Sequence, residues 1–102
     1  MNKKVYTIND IKKLLKEVLN ATDVQKAILF GSYAKQNQTD TSDIDIVIDS
    51  NGKIKGLKFY AIIDMIKEKF DKDVDIIDTS EIDEGSLIES EIEKTGVVVY
   101  EK

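Results

Sequence analysis

Residues 29 to 49, LFGSYAKQNQTDTSDIDIVID, decide how the rest of this chain is interpreted. An apolar run ends at Gly31-Ser32, a polar stretch follows, and Asp43 and Asp45 then alternate with isoleucines as in a half-buried strand. Side chains two apart in a strand point the same way, so the two carboxylates project side by side. Burial of ionised carboxylates is costly unless a positively charged group or ion lies nearby. The question is therefore which group or ion binds these two.

Predicted helices and strands alternate on both sides of this stretch. Apolar spacing and capping residues predict helices over 8–20, 56–70 and 86–95, allow a short helix over 32–37, and predict strands over 26–30, 43–49, 73–77 and 97–100. The predicted class is therefore α/β or α+β, with a small mixed sheet flanked by helices. With 102 residues and 41% hydrophobic composition, one domain over residues 1–102 is expected.

The composition removes several classes of chemistry. The chain has neither cysteine nor histidine, so acid-base or metal chemistry has to use aspartate and glutamate. The formal net charge is −5 and every basic residue is a lysine, which argues against broad binding to nucleic-acid backbones. No apolar run is long enough for a membrane span, and the first ten residues lack the apolar core of a signal peptide, so a cytoplasmic location is expected.

The paired aspartates suit a metal ion. Along a strand, Asp43 and Asp45 are separated by roughly 6.5 Å, which suits carboxylates that bind one Mg²⁺, or two ions about 3.5 to 4 Å apart, in phosphoryl transfer. Asp75, in the third predicted strand, is a candidate third ligand. Carboxylates about 4 Å apart repel by roughly 4 kcal/mol at an effective dielectric near 20, so a cation or a proton is expected among them. The alternative is that Asp43 and Asp45 lie on the solvated face of an edge strand.

Gly31-Ser32 is a candidate phosphate site. The pair follows a strand and precedes the short helix that the pattern allows, so backbone N–H groups and the Ser32 hydroxyl are placed to meet an anion such as a phosphate. The alternative for Ser32 is an ordinary helix N-cap. A phosphate site and an acid pair separated by one short polar segment form a more specific combination than either part alone.

The run Gly31-Ser32-Tyr33-Ala34-Lys35, followed by Ser42-Asp43-Ile44-Asp45, resembles the signature G-S-x-A-[RK]-G-x5-S-D-x-D of the minimal nucleotidyltransferases, small relatives of the DNA polymerase β superfamily. The spacing matches residue for residue, and the pattern of helices and strands is similar over most of the chain. One position departs, because Gln36 stands where the family usually has its second glycine. If that glycine is left-handed, either Gln36 adopts this conformation at some cost or Asn37 shifts the turn by one residue.

This resemblance implies Mg²⁺-dependent transfer of a nucleotidyl group from ATP to an acceptor hydroxyl, with release of pyrophosphate. It implies metal-binding and catalytic roles for Asp43, Asp45 and Asp75, and nucleotide-binding roles for Gly31, Ser32, Lys35 and Ser42. Small members of the family are often the antitoxin of a HEPN-domain toxin, and some attach AMP to a tyrosine of that toxin, so a HEPN toxin is the expected partner. The alternative is a non-catalytic module that keeps the fold and neutralises its partner by contact alone.

Overall fold

The computed structural model describes residues 5–39 and 41–102. In chain order the elements are α1 (Ile8–Leu19), β1 (Lys26–Phe30), β2 (Ile44–Asp49), α2 (Leu57–Lys69), β3 (Val74–Asp78), a 3₁₀ turn (Thr79–Glu81), α3 (Leu87–Thr95) and β4 (Val97–Glu101). Within these residues, no helix is long and apolar enough to cross a membrane. The predicted alternation of helices and strands is confirmed, with element ends that differ by at most one residue.

The four strands form one mixed sheet in the order β3-β2-β1-β4. β1 is antiparallel to both β2 and β4, whereas β2 and β3 are parallel. The carboxyl end of β1 therefore lies beside the amino ends of β2 and β3. In this register Phe30 faces Asp45, and Asp45 faces Asp75 on the other side. The predicted mixed sheet is confirmed, and its topology brings the loop after Phe30 to the acids.

α1 and α2 cover one face of the sheet and form the core with it. Buried residues of this core are Ala27, Leu29, Ile44, Ile46, Ile48 and Val74 from the strands, and Ile11, Leu15, Leu19, Ile62 and Ile66 from the helices. α3 lies against the opposite face, because a β-carbon built on Gly96 at its end would be 3.0 Å from Ile28 Cγ2. Asp45 shares the α3 face, since it alternates with core residues of β2.

Capping side chains set the starts of α1 and α3. The Thr7 hydroxyl accepts the Asp10 N–H at 3.0 Å while the Asp10 carboxylate accepts the Thr7 N–H at 2.9 Å, which confirms the predicted capping box. The Ser86 hydroxyl accepts the Glu89 N–H at 3.2 Å, as predicted for α3. These local hydrogen bonds explain why both helix starts could be predicted from neighbouring residues alone.

Candidate active site

The loop that follows β1 begins against the Asp45 carboxylate. Gly31 has a φ of +76°, in the left-handed region that favours glycine. A β-carbon built on Gly31 would overlap Asp45 Oδ2. Any larger residue would therefore displace either the carboxylate or the loop, so both the backbone conformation and the close approach require glycine at this position.

The three aspartates predicted to form the site lie at this corner of the sheet. Asp45 and Asp75 are neighbours across the parallel strands, and Asp43 is exposed immediately before β2. Burial raises the pKa of Asp45 from its ordinary value of 3.8 to about 6, together with the negative charges of Asp75, Asp43 and Glu91 in decreasing order. The structure therefore brings Asp75 close to Asp45, while the chemical roles assigned to these acids remain predictions.

The chemistry of these side chains fits Mg²⁺. Carboxylate oxygens are the hard ligands that Mg²⁺ prefers, and a divalent cation would relieve the repulsion that contributes to the raised pKa of Asp45. Within residues 5–39 and 41–102, however, no three histidine, cysteine, aspartate or glutamate side chains are grouped closely enough to hold a metal ion. Binding therefore requires the carboxylates to rearrange, and the set Asp43, Asp45 and Asp75 remains a predicted one.

Residues 32–37 do not form the short helix that the sequence allows. The Lys35 N–H donates to the Gly31 carbonyl at 3.2 Å as in a helical turn, but the Asn37 N–H donates to the Ser32 carbonyl at 3.1 Å and closes a wider turn. Gln36, between them, has a φ of +59°, which an α-helix does not contain. Gln36 thus adopts the left-handed conformation expected at the family's glycine position, and Ser32 lies in a turn rather than at a helix N-cap.

Lys35 and Ser42, the other two predicted nucleotide-binding residues, have partners of their own. Lys35 Nζ lies 3.1 Å from Glu91 Oε1 of α3, with both side chains partly exposed. The Ser42 hydroxyl accepts the Thr39 N–H at 2.9 Å. Because Glu91 also raises the pKa of Asp45, the Lys35–Glu91 pair lies beside the acids, whereas the Ser42 hydroxyl is engaged within its own loop.

The structure adds two residues that the sequence does not single out. Glu91 reaches the site from α3, on the same face of the sheet as Asp45. Lys72 lies between α2 and β3, and its ammonium donates to the Tyr33 hydroxyl and to the Ser42 carbonyl. Both residues are distant in sequence from the groups that they contact, so no local spacing could have indicated them.

A glycine turn against carboxylates on two neighbouring strands of a small mixed sheet is the arrangement that the resemblance to the nucleotidyltransferases implies. The family described as "Polymerase beta, Nucleotidyltransferase" matches residues 9–102. This chain therefore belongs to the polymerase β nucleotidyltransferase family, and the resemblance found in the sequence is confirmed.

Relatives named as protein adenylyltransferases are similar over most of the chain. A protein of Methanocaldococcus jannaschii that carries such a name is 36% identical over 80 residues, which cover 74% of this chain and 82% of that protein. The protein adenylyltransferase MntA of Shewanella oneidensis is 33% identical over 70 residues, which cover 69% of this chain and 49% of MntA. The enzyme class predicted from the sequence, nucleotidyltransferase, is confirmed by the family and by these relatives.

Solved structures confirm the predicted fold. A crystal structure of a toxin–antitoxin with AMP-PNP matches with a TM-score of 0.70 and 25% identity, over 95% of this chain and 75% of the matched chain. The toxin–antitoxin MntA-HepT matches with a TM-score of 0.61 and 22% identity, over 93% of this chain and 70% of the matched chain. The second similarity is one of fold alone.

Proposed function

We propose that this chain transfers AMP from ATP to a tyrosine hydroxyl of a HEPN-domain toxin and thereby acts as the antitoxin of a toxin–antitoxin pair. The observation that carries the proposal is the placement of the Gly31 turn against Asp45, with Asp75 on the neighbouring strand. Support also comes from relatives named as protein adenylyltransferases. The similarity to a toxin–antitoxin structure with AMP-PNP supports an adenine nucleotide as donor and a toxin as partner.

The proposed reaction is a substitution at the α-phosphorus of ATP. The acceptor oxygen bonds to this phosphorus, the bond from phosphorus to the oxygen that bridges to the β-phosphate breaks, and pyrophosphate leaves. The hydroxyl proton passes to a carboxylate, for which Asp75 is suited because it is exposed on the edge strand beside Asp45. Mg²⁺ held by Asp43 and Asp45 would neutralise phosphate charge during the transfer.

The loop between β1 and β2 supplies the proposed nucleotide contacts. Gly31 and Ser32 hold the triphosphate from the turn that lies against Asp45. Lys35 is within the same loop, and because its side chain is 44% exposed in the pair with Glu91, a phosphate group can compete for its ammonium. The Ser42 hydroxyl maintains the loop through Thr39 and becomes a nucleotide contact only if that hydrogen bond opens.

Intact-mass spectrometry tests the whole proposal. The chain, the product of the neighbouring gene, ATP and Mg²⁺ are mixed, and the partner is expected to gain one or more units of about 329 Da, each the mass that one AMP adds. Peptide mapping should place the added mass on a tyrosine. Omission of Mg²⁺ and the variant Asp45→Asn are each expected to prevent the mass change.

Two other outcomes are informative. A partner that binds and is silenced at unchanged mass would contradict catalysis and support the alternative, a module that neutralises by contact alone. A partner that gains mass with another nucleotide in place of ATP would retain the enzyme class but correct the donor. Omission of each reactant in turn separates these cases.

A further inference from the structure

One lysine contacts both sides of the loop between β1 and β2. Lys72 is half-buried between α2 and β3. Its ammonium donates to the Tyr33 hydroxyl at 2.8 Å and to the Ser42 carbonyl at 3.0 Å. The same nitrogen lies 5.1 Å from the centroid of the Tyr33 ring, within the range of a cation–π contact.

The residues that Lys72 contacts adjoin the functional groups of the site. Tyr33 follows Gly31-Ser32 directly and is fully buried, so its side chain fixes this part of the loop to the core. Ser42 directly precedes Asp43. Hydrogen bonds from a partly buried ammonium are stronger than those between neutral groups or in open solvent. Lys72 therefore links the turn beside Asp45 to the backbone that carries Asp43.

From this geometry we infer that Lys72 is a positioning residue for nucleotidyl transfer. By holding the Ser42 carbonyl, it keeps Asp43 in a fixed position relative to Gly31-Ser32. The Asp43 carboxylate is thereby kept at a fixed position relative to the bound phosphates. This position matters because a displacement of a catalytic group by about 1 Å costs on the order of 10²-fold in rate. The inference rests on the proposed function, since it assigns Lys72 a part in that reaction.

The chain offers a matched control. Lys67 lines the same groove beside Asp43 and Asp75, is exposed, and carries the same charge. Lys72→Met and Lys67→Met therefore each remove one positive charge from the lining of one groove, but only the first removes the contacts to Tyr33 and Ser42. Steady-state kinetics with the partner protein are expected to give Lys72→Met a KM for MgATP about tenfold higher and a kcat about tenfold lower. Lys67→Met should stay within about twofold of the parent, and Lys72→Arg should recover part of the loss.

Hydrogen exchange separates this inference from the proposed function. In the nucleotide-free protein, the amides of Lys35 and Asn37, which close the turns after Gly31, are expected to exchange at least about tenfold faster in Lys72→Met than in Lys67→Met. If the parent protein transfers no AMP, the proposed function fails, and exchange alone then decides whether Lys72 orders the loop. Equal exchange rates in Lys72→Met and Lys67→Met would overturn the inference. Equal KM and equal kcat in the two variants, with a difference only in the free energy of unfolding, would also overturn it. If Lys72→Met does not fold, Tyr33→Phe, which removes the hydroxyl that Lys72 contacts, replaces it in both measurements.

Discussion

The parallel strands β2 and β3 carry aspartates at both ends, and the aspartates at the two ends have different surroundings. At the back end, defined by Asp49 and Asp78, each carboxylate has a local partner: Asp49 accepts the Asn51 N–H at 3.0 Å, and Asp78 accepts the Ser80 N–H at 3.0 Å. At the front end, defined by Asp43, Asp45 and Asp75, burial and then the neighbouring negative charges raise the pKa of Asp45.

This difference shows how a structural aspartate can be told from a functional one. An aspartate at a turn is explained when its oxygens accept backbone N–H groups one or two residues further on, as at the back end. Asp45 lies inside β2, where its burial and, after that, the surrounding acids make its ionised form costly in the folded state. A cost of this kind is typical of residues retained for function, which favours the front end as the active site.

The largest expected effect on AMP transfer comes from removing the negative charge of Asp45 at the front end. Asp45→Asn should lower the rate of AMP transfer to the partner by on the order of 10³-fold or more, because the proposed metal loses a charged ligand. The same change should stabilise the metal-free domain at pH 7 by on the order of 1 kcal/mol, a figure reduced for the solvent screening of a half-exposed group. Transfer assays and chemical denaturation measure the two effects.

Asp49→Asn is the matched control for this prediction. It makes the same substitution on the same face of β2, and the asparagine retains an oxygen for the Asn51 N–H. We expect transfer within about twofold of the parent and a stability change under about 0.5 kcal/mol. A large loss of transfer in Asp49→Asn, or full activity in Asp45→Asn, would reverse the assignment of the two ends.

Asp75 should affect chemistry more than nucleotide binding. Asp75→Asn is expected to lower transfer by on the order of 10²-fold, because the acceptor hydroxyl loses its base, while the affinity for ATP with Mg²⁺ is largely retained. Calorimetry and transfer assays together distinguish the two contributions. Asp78→Asn is the control at the back end of β3. Full activity in Asp75→Ala with loss in Asp73→Ala would show that the neighbouring acid is the functional one.

The two ends should also differ in how stability depends on pH. Since the pKa of Asp45 is raised from 3.8 to about 6 on folding, the folded state binds more protons than the unfolded state between these values. The free energy of unfolding therefore falls as pH rises through this window, by on the order of 1 kcal/mol after allowance for screening. Denaturation of metal-free protein between pH 4 and pH 7 should show this loss for the parent and a smaller one for Asp45→Asn. Parallel curves would contradict the prediction.

Much of this arrangement could be predicted because its signals are local. The alternation in residues 43–49 identified β2, and the Thr7 and Ser86 caps marked two helix starts. The signature spacing led to the expectation that Gly31 and Asp45 lie in one site, and the antiparallel pairing of β1 with β2 explains why they meet.

The rest depends on contacts between distant residues. Glu91 pairs with Lys35 only because α3 packs on the face that carries Asp45, and no spacing within α3 indicates this. The short helix allowed over 32–37 failed for a more specific reason, since Gln36 leaves the helical region and the loop closes through the Ser32 carbonyl instead. Residue preferences alone do not predict a glutamine with a positive φ, and only the family's glycine at this position made it one of two expectations.

Each end of the strand pair is bordered by one non-glycine residue of positive φ, and this provides the smallest and most specific test. Gln36 in the front loop has a φ of +59°, and Asn51 in the back turn has a φ of +55°. Asparagine tolerates this conformation because its short side chain bonds locally, whereas glutamine does not. Gln36→Gly should therefore stabilise the domain by about 0.5 to 1 kcal/mol, and Asn51→Gly by less, as measured by urea denaturation.

Two outcomes would change this interpretation. If the two substitutions raise the free energy of unfolding equally, the left-handed glutamine costs no more than an ordinary turn asparagine. If Gln36→Gly also changes the KM for ATP, the substitution at the family's glycine position tunes nucleotide binding as well as stability.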